Sequence, residues 1–231
     1  MKIRYDNNGD ARMDTALTAI ALFLAAMMVI SFTSSPITTG TKEGDRAPNI
    51  VGKAYNGSVW QDFDLQTYYD YDWSIDNNDT KESQWVMIEF MDTDCPYCFN
   101  TAKDFQEASN IFTNLNPQWK GPHVSFMASA TELTGLQGHD SSREEIMAFR
   151  DKTTGEMCNS SNVDCSTRDG QAFAIPFIDD LDKSHMEKWG IGGTPTYFLI
   201  QPDGIIAWAS PEHQDEQFYE AINRLVPQES A

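Results

Sequence analysis

Residues 85–91 (WVMIEFM) form an apolar run broken by a single carboxylate, Glu89, and only Asp92-Thr93-Asp94 separate this run from Cys95 and a helical pattern. A short, nearly continuous apolar run of this kind predicts a strand buried on both faces of a parallel sheet. Residues 96–115 place Phe105, Ala108, Phe112 and Leu115 on one helical stripe and stop before Pro117. A strand that feeds at once into a helix commits the chain to a β-α-β crossover, which sharply narrows the available topologies.

The other segments agree with that start. Residues 47–65 read as an extended lead-in, with Asn56-Gly57 as the turn of a hairpin between 51–55 and 59–65. Residues 66–83 are acidic, aromatic and rich in turn formers, which suggests a surface excursion. Strand patterns follow at 124–130, 173–178, 196–200 and 205–209, the last two joined by a Pro202-Asp203-Gly204 turn. Helical patterns lie at 141–152, 185–189 and 214–225. The 141–152 segment has a serine cap, early acids and late bases that complement the helix dipole. The order argues for a three-layer α/β sandwich.

Residues 15–35 (TALTAIALFLAAMMVISFTSS) contain no charge. As a helix they span about 31 Å, close to the roughly 30 Å of a bilayer's hydrocarbon core, and predict one N-terminal transmembrane helix. A cleaved signal peptide is the rival reading. Residues 1–14 are a short tail, which suits a cytoplasmic N-terminus with the body translocated. Residues 36–46 read as a tether and 47–231 as the folded domain. The expected placement is single-pass, with the domain extracytoplasmic.

The whole chain has 16 Lys and Arg against 35 Asp and Glu, a net charge of −19, and its first forty residues contribute three of each sign. The body therefore carries all of the excess. Such a surface repels phosphate backbones and anionic headgroups, which excludes nucleic-acid binding and peripheral attachment through a basic patch.

Cys95-Pro96-Tyr97-Cys98 sits where the strand meets the helix. A cysteine at a helix N-terminus has its thiolate favoured by the dipole and by unpaired N–H groups, so Cys95 is the attacking thiol. Pro96 suits the first helical turn. Cys98, one turn on, can resolve a mixed disulfide. A zinc site would need four ligands, and the second pair, Cys158 and Cys165, has six intervening residues rather than two to four. That pair is expected as a structural disulfide, stabilising by about 2–3 kcal/mol through loop closure, or as a second redox pair relaying electrons. His123, His139, His185 and His213 show no metal-ligand spacing, and no metal is expected.

The strand, the C-P-Y-C, the helix and the distant Gly192-Gly193-Thr194-Pro195-Thr196 together resemble a thioredoxin-fold protein. Within that superfamily the chain resembles the membrane-anchored, extracytoplasmic thiol–disulfide oxidoreductases of the TlpA/ResA type. The likeness includes Gly44-Asp45-Arg46-Ala47-Pro48-Asn49, Trp189-Gly190-Ile191 and the Asp203-Gly204 hairpin, and it covers 44–225. It implies a thioredoxin-like α/β/α sandwich with a central mixed sheet. Cys95 and Cys98 would be the redox pair, and Pro195 a cis-proline packed against them. Thr194 would offer backbone groups to a substrate chain, with Tyr97 on the same surface. Glu89, six residues before Cys95, falls where thioredoxins carry a buried acid that moves a proton at the second cysteine. A carboxylate on an apolar strand should also have a raised pKa. Protein thiols or disulfides would be the substrates, with a membrane electron donor or acceptor and no cofactor.

Two departures stand out. Asp94 occupies the position before the first cysteine, usually Trp, and with Asp92 it opposes a thiolate, so the sign of the Cys95 pKa shift stays open. A peroxidase would need Thr three residues before its reactive cysteine, where Asp92 stands. The alternative from another class is a carrier that holds a soft metal such as Cu(I) at Cys95 and Cys98. Copper-delivery relatives of this fold use a wider Cys spacing and a downstream His, whereas His185 is the only histidine near Pro195 in sequence.

Overall fold

A computed structural model describes residues 8–33, 37–74, 83–135 and 139–228. The chain divides into two compact units, 1–37 and 38–231. The first contains one helix, α1 (Asn8–Thr33), whose described side chains, Met13 and those of 15–28, are all exposed. The run 15–35 is thus helical through Thr33, with residues 34 and 35 outside the described residues. Among the described residues no helix is long and apolar enough to cross a membrane, so the expected crossing rests on composition.

The second unit is a mixed sheet between helices. Its elements are β1 (Val51–Tyr55), β2 (Trp60–Asp64), β3 (Trp85–Met91), α2 (Pro96–Ile111), β4 (Val124–Thr131), α3 (Arg143–Asp151), β5 (Met157–Cys158), β6 (Val163–Asp164), β7 (Phe177–Asp180), α4 (Ser184–Trp189), β8 (Thr196–Ile200), β9 (Ile206–Ala209) and α5 (Phe218–Leu225). The sheet order is β2-β1-β7-β4-β3-β8-β9. Strands β3, β4 and β7 run parallel, while β8 pairs antiparallel with β3, β9 with β8, and β1 with both β7 and β2. β5 and β6 form a separate small hairpin.

All of β3 is buried, as its continuous apolar run predicts. Its side chains alternate between two cores. Met87 and Met91 join α2, α3 and α5 on one face; Val86, Ile88 and Phe90 join Ile50, Leu65 and Trp189 at the end of α4 on the other. These are the three layers of the expected thioredoxin-like sandwich. Glu89 shares the parity of Met87 and Met91 and therefore points beneath α2.

Several boundaries differ from the sequence reading. α2 ends at Ile111, and Leu115, expected on its buried stripe, is 87% exposed. Phe112 leaves the helical path to pack edge-on against Trp119 and stack on Phe126, and the Asn116 side chain donates to the Ile111 carbonyl, closing the helix early. The strand expected at 173–178 begins only at Phe177, because Pro176 has no N–H to give a ladder. α5 starts at Phe218 rather than at 214, where Glu220 accepts from the Gln217 N–H. The Asn56-Gly57 hairpin is as expected: Gly57 has φ +97, and the Asn56 side chain accepts from the Ser58 and Val59 N–H groups. The 66–83 excursion is not all surface, since Trp73 packs edge-on against Trp85; residues 75–82 lie outside the described residues.

Phe105 is the hub of the α2-side core, fully buried with Phe126, Phe173, Tyr197 and Phe218 around its ring. Phe105→Ala should cost about 3–5 kcal/mol through lost transfer energy and a residual cavity. The midpoint of chemical denaturation measures this; a cost under about 1 kcal/mol would show that this ring cluster does not hold the domain together.

Candidate active site

The antiparallel pairing of β3 with β8 sets Phe90 opposite Thr196. Beyond this pair the two chains leave the ladder side by side, and the turn through Asp92-Thr93-Asp94 into α2 sets Cys95 against Thr194. The Cys95 Sγ–H donates to the Thr194 carbonyl at 3.1 Å, and the Thr194–Pro195 peptide is cis. Residues a hundred apart in sequence meet there. Thr194 and Pro195 also line a cleft of about 630 Å³ with Trp189, Ile191, Pro211 and Glu212. Tyr97 lies at the surface, 72% exposed.

Cys95 is the N-cap of α2 and Pro96 its first helical residue. Ahead of them Asp92, fully buried, works as an anchor. One carboxylate oxygen accepts from the Asp94 N–H at 2.8 Å, the other from Leu133 N–H at 3.0 Å and Thr134 N–H at 2.6 Å, while its carbonyl accepts from Cys95 N–H. Three backbone donors thus absorb the charge that the sequence sets against the thiolate, and the Asp94 carboxylate faces His139.

The Cys95 pKa is lowered to about 6. The chief cause is hydrogen bonding from the Cys98 thiol; the Thr194 hydroxyl and the N–H groups of Cys98 and Tyr97 add to it, against the opposing effect of burial. Cys98 is pushed well above its ordinary value by burial, by its bond to Cys95 and by the charge of Glu89. The pair is therefore split into an attacking thiolate and a protonated resolving thiol.

Glu89 is 3% exposed, and burial raises its pKa to about 8, opposed by a hydrogen bond from Tyr197. Tyr197 is its cross-strand partner on β8, and its hydroxyl lies 3.3 Å from Thr101 Oγ1 on α2. A carboxyl group poised near neutral pH beneath the resolving cysteine can accept and return a proton.

Cys158 and Cys165 are joined in a disulfide that closes the β5–β6 hairpin. The hairpin docks on the active-site loop: Asn159 N–H donates to the Thr93 carbonyl at 2.9 Å and Ser160 N–H to the Asp94 carbonyl at 2.8 Å. Neither contact is visible in sequence, because both use main-chain atoms. The anchoring role of Asp92 and the contact of Asp94 with His139 are likewise absent from the sequence reading, since each depends on neighbours brought together by the fold. Arg168 fixes the segment behind the hairpin: fully buried, its guanidinium donates to the carbonyls of Phe149, Arg150, Asp169 and Gln171.

This strand order, with a Cys-x-x-Cys at the start of α2 facing an X-cis-Pro, is that of a thioredoxin-like fold. No protein-family model matches the chain, and no curated protein matches it. Among solved structures it is similar to the thioredoxin domain of a thiol-disulfide oxidoreductase from Bacteroides vulgatus, at 16% identity over 80% of this chain and 99% of that one, with a TM-score of 0.47. It is similar to a thiol:disulfide interchange protein from Bacteroides sp., at 17% identity over 82% and 91%, TM-score 0.47. The reduced 2-Cys peroxiredoxin of Plasmodium vivax matches at 14% identity over 75% and 72%, TM-score 0.44.

Two outcomes are expected. Alkylation of Cys95 by iodoacetamide should rise with pH around a midpoint of about 6. Cys98→Ala should move that midpoint upward, because the largest stabilisation of the thiolate comes from the Cys98 thiol; an unmoved midpoint would refute the assignment. Joint replacement of Cys158 and Cys165 by Ser should lower stability by about 2–3 kcal/mol and also alter the Cys95 alkylation rate in the folded protein. A stability loss with no change in that rate would show that the hairpin does not position the loop.

Proposed function

We propose that this protein is a membrane-tethered, extracytoplasmic thiol–disulfide oxidoreductase that reduces protein disulfides through Cys95 and Cys98. The observation that carries the reading is the contact of the Cys95 sulfur with the Thr194 carbonyl beside cis Pro195 and an open cleft. In this reading an extended substrate segment lies in the cleft, held by the backbone of Thr194 and by Pro195 and Tyr97, with its disulfide brought to Cys95.

The Cys95 thiolate attacks one substrate sulfur, the substrate S–S bond breaks, and a mixed disulfide forms as one substrate thiolate leaves. Cys98 then gives its proton to the Glu89 carboxylate and attacks Cys95. The mixed disulfide breaks and the second substrate thiolate leaves. Two electrons have passed to the substrate, and the Cys95–Cys98 disulfide returns to dithiol at the expense of a membrane-borne dithiol donor.

The reducing direction follows the resemblance to the TlpA/ResA-type oxidoreductases, and a Cys95 thiol with its pKa lowered to about 6 is ionised at neutral pH and able to attack a disulfide. Tethering is supported by the uncharged run 15–35 and by the exposed, apolar side chains of 16, 17 and 19–28 in α1, a stretch without a polar face. The extracytoplasmic setting is supported by the Cys158–Cys165 disulfide, a bond that persists in oxidising compartments. For a copper carrier the geometry is less apt: among the described residues no further His, Cys, Asp or Glu donor converges with Cys95 and Cys98, and His185 is turned to Ser129 and the Val51 carbonyl.

Reduction of insulin disulfides with dithiothreitol as donor tests the proposal. Turnover should vanish in Cys95→Ser, Cys98→Ser should accumulate a mixed disulfide, and Glu89→Gln should slow its resolution by about 100-fold. Inert thiols that hold one equivalent of Cu(I) without turnover would overturn it.

A further inference from the structure

Asp94 is distant in sequence from His139 and Glu145, which are themselves six residues apart, yet the ligand atoms of all three lie within 4.8 Å of one another. His139 Nε2 stands 3.0 Å from Glu145 Oε2 and 3.3 Å from Asp94 Oδ2. A ring nitrogen carries at most one hydrogen, so it cannot serve both carboxylates with a directed bond. A tetrahedral ion with bonds of about 2.0–2.1 Å sets neighbouring ligand atoms about 3.3–3.4 Å apart. The two distances to Nε2 are already close to that spacing.

A second observation points the same way. Glu145 Oε1, Thr93 Oγ1 and Ser141 Oγ are buried without a hydrogen-bond partner, and Glu145 and Thr93 are each 1% exposed. The Thr93 hydroxyl bears on the Glu145 carboxylate and the Ser141 hydroxyl on Asp94, each close enough to oppose the burial that raises that carboxylate's pKa but without the geometry of a full hydrogen bond. Buried polar atoms are almost always satisfied by protein, water or an ion. One oxygen of the Glu145 carboxylate and two hydroxyls beside it, buried without a well-formed hydrogen bond and gathered at this imidazole, therefore mark a place built for a ligand that draws on all of them.

We propose that Asp94, His139 and Glu145 bind a first-row divalent cation, with zinc the best match, beside the thiol pair and independent of it. One nitrogen and two oxygen donors, without sulfur, suit Zn²⁺ rather than Cu(I). A water in the ion's remaining position supplies hydrogens to the neighbouring hydroxyl oxygens. The ligands are preorganised. The Asp94 main chain is held by Ser160 N–H on its carbonyl and by Asp92 on its N–H, both at 2.8 Å. Glu145 stands in the first turn of α3, where its N–H donates to Ser142 Oγ at 3.1 Å. The His139 side chain, 37% exposed, is the open edge through which an ion enters. An ion here would tie His139 and Glu145 to the residue that precedes Cys95, and so add to the hold that the disulfide hairpin has on the active-site loop.

Calorimetric titration of Zn²⁺ into the full-length protein, stripped of metal and carrying Cys95→Ser and Cys98→Ser, tests this without any redox readout. One equivalent should bind, and His139→Ala should weaken binding by more than about 100-fold, the loss that even outer-sphere partners can reach. Glu145→Gln, nearly isosteric, should weaken it comparably, with an unchanged far-ultraviolet circular dichroism spectrum showing that the fold survives. Failure of Zn²⁺ to bind, or equal binding by the well-folded variants, would overturn the site. Insulin turnover by the protein with its thiols intact is a separate result, so either proposal can fall alone.

Discussion

The antiparallel pairing of β3 with β8 is the contact on which the site depends. Once Phe90 stands opposite Thr196, the strand leading into Cys95 and the loop leading into β8 have to lie side by side. The N-terminus of α2 then opens on Thr194 and Pro195, and Glu89, paired on the same ladder with Tyr197, is carried beneath α2 by the alternation of the strand. The positions of the Cys95 sulfur, the Thr194-Pro195 loop and the buried Glu89 thus all rest on one register. A one-residue slip would turn Glu89 to the other core and part the sulfur from the carbonyl.

Around that register the chain stiffens a loop that regular secondary structure leaves free. Asp92 gathers three N–H groups, the disulfide-closed hairpin donates to the carbonyls of residues 93 and 94, and Arg168 secures the segment behind it through four carbonyls. In so acidic a protein the obvious partner for a buried guanidinium is a carboxylate. This one instead satisfies main-chain oxygens, whose partial charges hold a cation in place without the cost of burying a second full charge.

Much of the scaffold was legible in the residues. The burial of β3, the start of α2 at Pro96, the hairpin at Asn56-Gly57 and the layer order all follow from apolar periodicity and turn chemistry. The ends of elements were less legible, because tertiary contacts decide them: Phe112 turned inward to Trp119, stranding Leu115 in solvent, and Pro176 delayed β7 to Phe177. The Asp94, His139 and Glu145 cluster left no trace in spacing, since its members come from two loops and a helix.

What the sequence determined by itself is local: a strand that must be buried, a helix that must begin at a Cys-Pro-Tyr-Cys, a proline after Thr194, and an uncharged run near the N-terminus. Backbone propensity and hydrophobic pattern act over a few residues and are written in order along the chain. Only the tertiary structure decided the electrostatic character of the site, with Cys95 lowered, Cys98 raised and Glu89 held near neutrality. The bond from Cys98 that lowers Cys95 is made within one turn of α2, but the burial that raises Cys98 and Glu89, and the Thr194 and Tyr197 hydroxyls that bear on Cys95 and Glu89, are in place only when distant segments pack, and no linear reading contains that packing.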